Sequence, residues 1–201
     1  MLRTTWSSSG PPGTFGTMRT QRYVALLRGI NVGGRNLVAM ADLRDAFEAA
    51  GHGAVRTYIQ SGNVLFESDT PRTALAADLE VMLERRFGVP LVVVVRSLAQ
   101  LRNVVQNAPD GFGTQPDTYH SDVVFLKEPL TSRQAMRVVD LREGVDRAWP
   151  GRGVVYFARL SARRQQSRMS RVVGTPEYQQ MTIRSWSTTT KLLDLARRDG
   201  A

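Results

Sequence analysis

Apolar positions in residues 22–97 change period from segment to segment, and each period predicts an element. Tyr23 to Arg28 (YVALLR) is a short apolar run that reads as a strand. Met40, Leu43, Phe47 and Ala50 then recur at helical spacing and stop at Gly51. Val55 to Gln60 and Asn63 to Glu67 alternate around Ser61-Gly62, which predicts a hairpin. Thr70-Pro71 reads as a cap followed by a first-turn proline. Leu75, Leu79, Met82, Leu83 and Phe87 line one side of the helix that follows, and Gly88 ends it. Leu91 to Val95 closes the unit as a strand. The order βαββαβ is that of the ferredoxin-like plait.

The last of these strands carries five apolar residues in a row. In a lone plait it would lie at an edge with one open face, so its composition demands a cover on both faces. The second half of the chain is the natural cover, and it repeats the order more loosely. Leu98 to Asn107 reads as a connecting helix, and Pro109 to Gly113 opens a loop to about Tyr119. Asp122 to Leu126 is a strand and Ser132 to Leu141 a helix, with Met136, Val138 and Val139 inward. Strands near Val145 to Trp149 and Val154 to Arg159 follow, then a helical segment about Ser167 to Val173. Met181 to Arg184 is the last strand, and Ser187 caps a helix from Thr188 to Arg198. The predicted class is α+β: two tandem ferredoxin-like plaits packed together, with a C-terminal helix. Residues 21–97 form the first, and residues 98–201 supply a linking helix and the second. Residues 1–20, rich in Ser, Thr, Gly and Pro and without an acid, read as a disordered tail. Met18 stands just before the first strand as an alternative start.

Composition narrows the chemistry. With no Cys, the chain has no disulfide, thiolate nucleophile or Cys-based metal site. No apolar run approaches the roughly 18 residues of a membrane span, so no membrane partner is expected and the compartment reads as cytoplasmic. Net charge is +9, and residues 132–201 hold 14 Arg or Lys against 6 Asp or Glu. Arg159, Arg163, Arg164, Arg168 and Arg171 fall in one acid-free stretch. A polyanion such as nucleic acid, RNA above all, is the partner such a stretch would suit. The competing reading is codon bias, since 25 of the 27 basic residues are Arg.

Three polar segments are candidates for ligand contact. Gly29-Ile30-Asn31-Val32-Gly33-Gly34 follows a strand, but matches neither the dinucleotide spacing nor the P-loop. Its amides would form an anion nest with Arg28 and Arg35 alongside, or its glycines serve a tight turn alone. Arg56, Tyr58 and Gln60 share one strand face by alternation, with Ser61 and Asn63 at the corner; they face either a planar ligand or a polar seam. Arg184, Trp186 and Lys191 stand where the last strand meets the last helix, either around an anion or as cap and core anchor. His52 and His120 are far apart and near loops, and Asp45 and Glu48 lie on the solvent side of the first helix. No metal site, catalytic set or cofactor follows from them.

RYVALLRGINVGG, the helix ending at Gly51, VRTYIQSGNVLF and MTIRSWSTTTKLLDLA together resemble the bacterial family called domain of unknown function 1697, from about Arg22 to Arg198. The resemblance implies two similar ferredoxin-like subdomains and brings no catalytic residues. This chain departs from the family pattern at Ser185 and Ser187, where Asn is usual. It departs again at Tyr156 to Ser161, which lack a Gly-rich turn, and at Ser170-Arg171 in place of Ser-Lys. Two functions follow: an anion-binding module using the basic second half on nucleic acid, or a site between the plaits for a phosphorylated small molecule. Whether the chain is an enzyme, and its oligomeric state, stay open.

Overall fold

Two four-stranded antiparallel sheets and five α-helices make up the fold, described over residues 20–34 and 36–198 of a computed structural model. The tail over residues 1–19 and Arg35 lie outside the described residues. The first sheet holds β1 (Gln21–Arg28), β2 (Gly53–Tyr58), β3 (Asn63–Ser68) and β4 (Val92–Ser97) in the order β2-β3-β1-β4. The second holds β5 (Tyr119–Leu126), β6 (Asp146–Gly151), β7 (Val154–Leu160) and β8 (Met181–Ser185) in the order β6-β7-β5-β8. The two sheets therefore have the same strand order.

Alternation along each strand divides the apolar residues between two faces. Ala25, Leu27, Val64, Phe66, Val93 and Val95 bury one face of the first sheet under α1 (Met40–Ala49) and α2 (Arg72–Phe87), through Leu43, Phe47, Leu75, Leu79 and Leu83. Val24, Leu26, Leu65 and Val94 point the other way. There they join Val123, Phe125, Val154, Tyr156 and Ala158 of the second sheet in one central core. Helices α3 (Leu98–Gln106) and α5 (Trp186–Arg198) contribute Leu101, Val104, Leu192 and Leu193 to it. The second half does cover β4, as its unbroken apolar run requires. A third core on the outer face of the second sheet gathers Val124, Leu126, Val155 and Phe157 with Ala135 of α4 (Ser132–Val138).

Several elements differ from expectation for local reasons. Residues 161–180 form three 3-10 helices (Ser161–Gln166, Met169–Gly174 and Pro176–Gln180) where the first half has α2. Only Met169 and Val172 are buried there, and Gly174 and Pro176 interrupt any longer helix. Ala46, not Ala50, completes the buried side of α1. Pro71 itself occupies the cap position of α2, and Thr70 caps nothing through its side chain. Helix α5 begins at Trp186, and its capping hydroxyl is Ser185, which accepts from Thr188 N (3.2 Å), not Ser187. Strand β5 starts at Tyr119 and not at Asp122, so His120 is its second residue, beside the preceding loop. Helix α4 ends at Val138, three residues early.

Candidate functional site

The polar corner of the first half is assembled, and the side chains of Asn31 and Asn63 are turned inward. Asn31 adopts a left-handed φ of 53° and closes its own loop. Its Nδ2 donates to Val38 O (2.9 Å) and Gln60 O (3.0 Å), and its Oδ1 accepts from Val38 N (2.9 Å). Gly33 and Gly34 are exposed, with no other atom near enough to require glycine for close approach. Arg28 Nη1 donates to Gln179 Oε1 (2.8 Å), and its guanidinium stacks 4.4 Å from the Tyr178 ring centre. Tyr58 is half-buried against the central core. Gln60 does not share its face: β2 ends at Tyr58, and Ile59 at φ 50° breaks the alternation.

Asn63 and Arg184 form the centre of this corner, and both are buried. Asn63 Nδ2 donates to Tyr58 O (2.9 Å) and Ser61 Oγ (3.1 Å), while its Oδ1 accepts from Arg184 Nε (2.6 Å). Arg184 Nη2 donates to Leu27 O (2.7 Å) and Ser61 O (2.8 Å), and Nη1 to Thr182 Oγ1 and Ile183 O. Burial lowers its pKa to about 10, and among the described residues no carboxylate pairs with it. Gly62 makes the approach of the hairpin to β1 feasible. A Cβ there would lie 2.6 Å from Ile30 Cδ1, and φ is +75°. Of the residues expected to grip a ligand, Arg28, Ser61, Asn63 and Arg184 instead join the second half to the first. Trp186 is an anchor meeting Phe112 edge-on at 5.1 Å, and Lys191 is exposed on α5.

The opposite corner repeats the lock with the halves exchanged. Arg96 pairs with Val24 across β4 and β1 as Arg184 pairs with Val123 across β8 and β5. Arg96 Nη2 donates to Leu126 O (2.6 Å) and Gly153 O (2.9 Å), the counterparts of Leu27 and Gly62. Lys127, the counterpart of Arg28, reaches Glu80 of α2. The signal for Arg96 was present in the sequence as a repeat. Val95-Arg96-Ser97-Leu98 and Ile183-Arg184-Ser185-Trp186 match, and Ser97 and Ser185 each cap the helix that follows.

The Arg96 corner borders an open cleft. A cleft of about 390 Å³ is lined by Arg72, Arg96, Gln100, Asn103, Glu128 and Arg152, among others. Arg72 and Glu128 also border an adjoining pocket of about 140 Å³. Arg72 pairs with Glu128 at 3.1 Å, and Arg152 is exposed at the mouth. Burial is the main cause that lowers the Arg96 pKa to about 10; nearby Arg72 lowers it further, and Glu128 opposes both. Three guanidinium groups thus share a cleft with one carboxylate.

The basic stretch of the second half is only partly free. Arg159 is mostly buried and pairs with Asp122 (3.0 Å), whose other oxygen lies 3.2 Å from His120 Nε2. Burial raises the Asp122 pKa despite the pull of His120 and Arg159. Arg168 and Arg171 both bind Asp140, and their hydrogen bonds hold its carboxyl below the usual range. Arg163 and Arg164 are exposed. Among the described residues, no three His, Asp or Glu are grouped to hold a metal, and no helix is long and apolar enough to cross a membrane.

Fold and site together define an α+β protein of two like-ordered antiparallel sheets around a shared core, with a cationic cleft at their seam. The chain belongs to the family described as Protein of unknown function (DUF1697), whose model matches residues 20–156. That match ends within β7, short of the Arg198 to which the sequence resemblance extends. The chain is also similar to a solved structure, the conserved bacterial protein SP0830 from Streptococcus pneumoniae. The two share 25% identity at a TM-score of 0.76, covering 89% of this chain and 99% of that one. No curated protein matches the chain.

Proposed function

We propose that each half is a ferredoxin-like plait, and that the pair binds a small anionic ligand, most simply a phosphorylated metabolite, in the cleft beside Arg96. The shared strand order, with each first strand flanked by the third and fourth, supports the plait reading. In the second half, 3-10 helices take the place of the second crossing helix. One observation carries the ligand reading: Arg72, Arg96 and Arg152 line a cleft that offers them a single carboxylate, Glu128. Guanidinium forks match phosphate oxygens, and such charge-assisted bonds gain strength where water is partly excluded. Gln100 and Asn103 supply amides for the uncharged part of the ligand. The site lies between the halves, but across the seam from Arg28, Asn31, Tyr58 and Arg184.

The test is a thermal-shift and calorimetric screen of inorganic phosphate, sugar phosphates and nucleotides at low salt. At least one phosphorylated compound should stabilise the protein while its dephosphorylated form does not. Arg152→Ala, at an exposed position, should weaken that binding at least tenfold without lowering the Tm of the free protein. Absence of any shift at millimolar concentration, or an unchanged affinity in the variant, would overturn the reading. A second reading rests on the exposed Arg163 and Arg164, which suit a single-stranded nucleic acid. It expects a logarithmic salt slope of roughly −0.7 per phosphate neutralised.

A further inference from the structure

A second cavity, of about 340 Å³, lies wholly within the second half, and strand register explains why it exists. One row across the sheet runs Arg147 on β6, Ala158 on β7 and Ser121 on β5. The next row is Trp149, Tyr156 and Val123, and on the other side Tyr119 pairs with Leu160. Small residues at Ala158 and Ser121 sink the sheet floor between Trp149 and Tyr119. The loop after α3 brings Phe112 over this floor, edge-on to Trp149 (6.1 Å) and to Tyr156 (5.3 Å). Gly113 holds the loop there: a Cβ would come within 2.0 Å of the Trp186 ring, at φ +75°.

The lining has the chemistry of a site for a flat, polar-edged molecule. Phe112, Tyr119 and Trp149 present aromatic surface, and the Arg147 guanidinium lies 5.1 Å from the Tyr119 ring centre at the exposed rim. Ser121 is 8% exposed, and its Oγ is buried with no hydrogen-bond partner among the described residues. Buried hydroxyls in folded proteins nearly always have a partner, because an unpaired one costs its lost hydration. Neither its own strand nor the roof satisfies it.

We propose that this cavity binds a nucleobase, stacked on the aromatic side chains, with the Ser121 side chain rotating out of the floor to bring its Oγ to the polar edge and Arg147 closing over its outer side. Aromatic rings and a guanidinium favour π-faces, and one hydroxyl serves either donor or acceptor edges. The volume sits at the low end of the roughly 300–1,000 Å³ typical of small-molecule pockets. The base comes either from a free nucleoside or from a single strand, and the site is separate from the seam cleft.

Tryptophan fluorescence of the full chain tests the proposal, with adenosine, guanosine, cytidine, uridine and a mixed-sequence single-stranded RNA decamer as probes. At least one probe should quench saturably, and the quench should vanish in Trp149→Phe. Ala158→Leu, which raises the floor, should weaken binding at least tenfold. Arg147→Ala, exposed and safe for folding, should weaken it severalfold and decides the matter if Ala158→Leu fails to fold. Quenching by nucleosides identifies a free ligand, and quenching by the decamer alone identifies a strand; either supports the site. No quench by any probe at 1 mM, or an equal quench in Arg147→Ala, overturns it. Arg152→Ala leaves this signal unchanged, so failure of the seam reading remains distinguishable.

Discussion

Arg184 carries a positive charge into a place where only carbonyls, one amide and one hydroxyl meet it. Its donors reach the end of β1, the β2–β3 turn and the buried amide oxygen of Asn63. Arg184→Met should therefore cost about 3–4 kcal/mol in urea unfolding, since each orphaned buried acceptor costs about 1–3 kcal/mol. Arg184→Lys should recover part of that loss by keeping a charge with fewer donors. At His52 a different residue-scale effect operates. Burial against Phe66 (4.9 Å) and Phe47 (5.8 Å) lowers its pKa below the ordinary 6.5, and Asp69 and Asp78 oppose the shift. The unfolded chain takes up the proton first, so this contribution to stability is present above pH 6.5 and is lost as pH falls toward the folded value. His52→Phe should flatten the fall in unfolding free energy between pH 7 and 5; an unchanged slope would refute the assignment. Residue types at the polar corner were legible in the sequence, yet their use was not. Asn31 and Asn63 look the same on paper whether they face a ligand or, as here, close a loop and hold an arginine.

At the scale of elements, legibility followed the apolar count. β4 announced its two buried faces by an unbroken run, and α2 by Leu75, Leu79 and Leu83 at helical spacing. The segment 161–180 has two buried apolar residues and is interrupted by Gly174 and Pro176, so its 3-10 form left no apolar period to read. The loop from α3 to β5 shows how one glycine positions an element. With φ at +75° and Trp186 against its α-carbon, Gly113 leaves no room for a methyl group. Gly113→Ala should destabilise the protein by about 2–4 kcal/mol, combining the left-handed backbone penalty with overpacking. It should also shift Trp186 fluorescence, because the ring or the loop must move. The same substitution at exposed Gly33, where nothing stands near, carries only the backbone penalty of about 1–2 kcal/mol. The difference between the two variants measures the contact itself.

For the molecule as a whole, the two halves are related by exchange: Arg96 does for the second half what Arg184 does for the first, and Lys127 mirrors Arg28. Neither half has a finished core alone. Val24, Leu26, Leu65 and Val94 would all lose their cover without the second half. At about 1.5–3 kcal/mol for each buried side chain, that face is worth on the order of 6–12 kcal/mol. Such a sum is as large as the typical net stability of about 5–15 kcal/mol for a folded protein. The halves should therefore unfold as one unit even though each has its own sheet. Trp149 and Trp186 both report on the second half, whereas far-UV circular dichroism reports on both. The two signals should trace a single coincident urea transition, and Arg96→Met should move its midpoint down without separating them. A biphasic dichroism curve, with fluorescence following only one phase, would show the halves to be independent. In that case the seam cleft would lie between two mobile bodies, and its three arginines would have no fixed geometry to offer an anion.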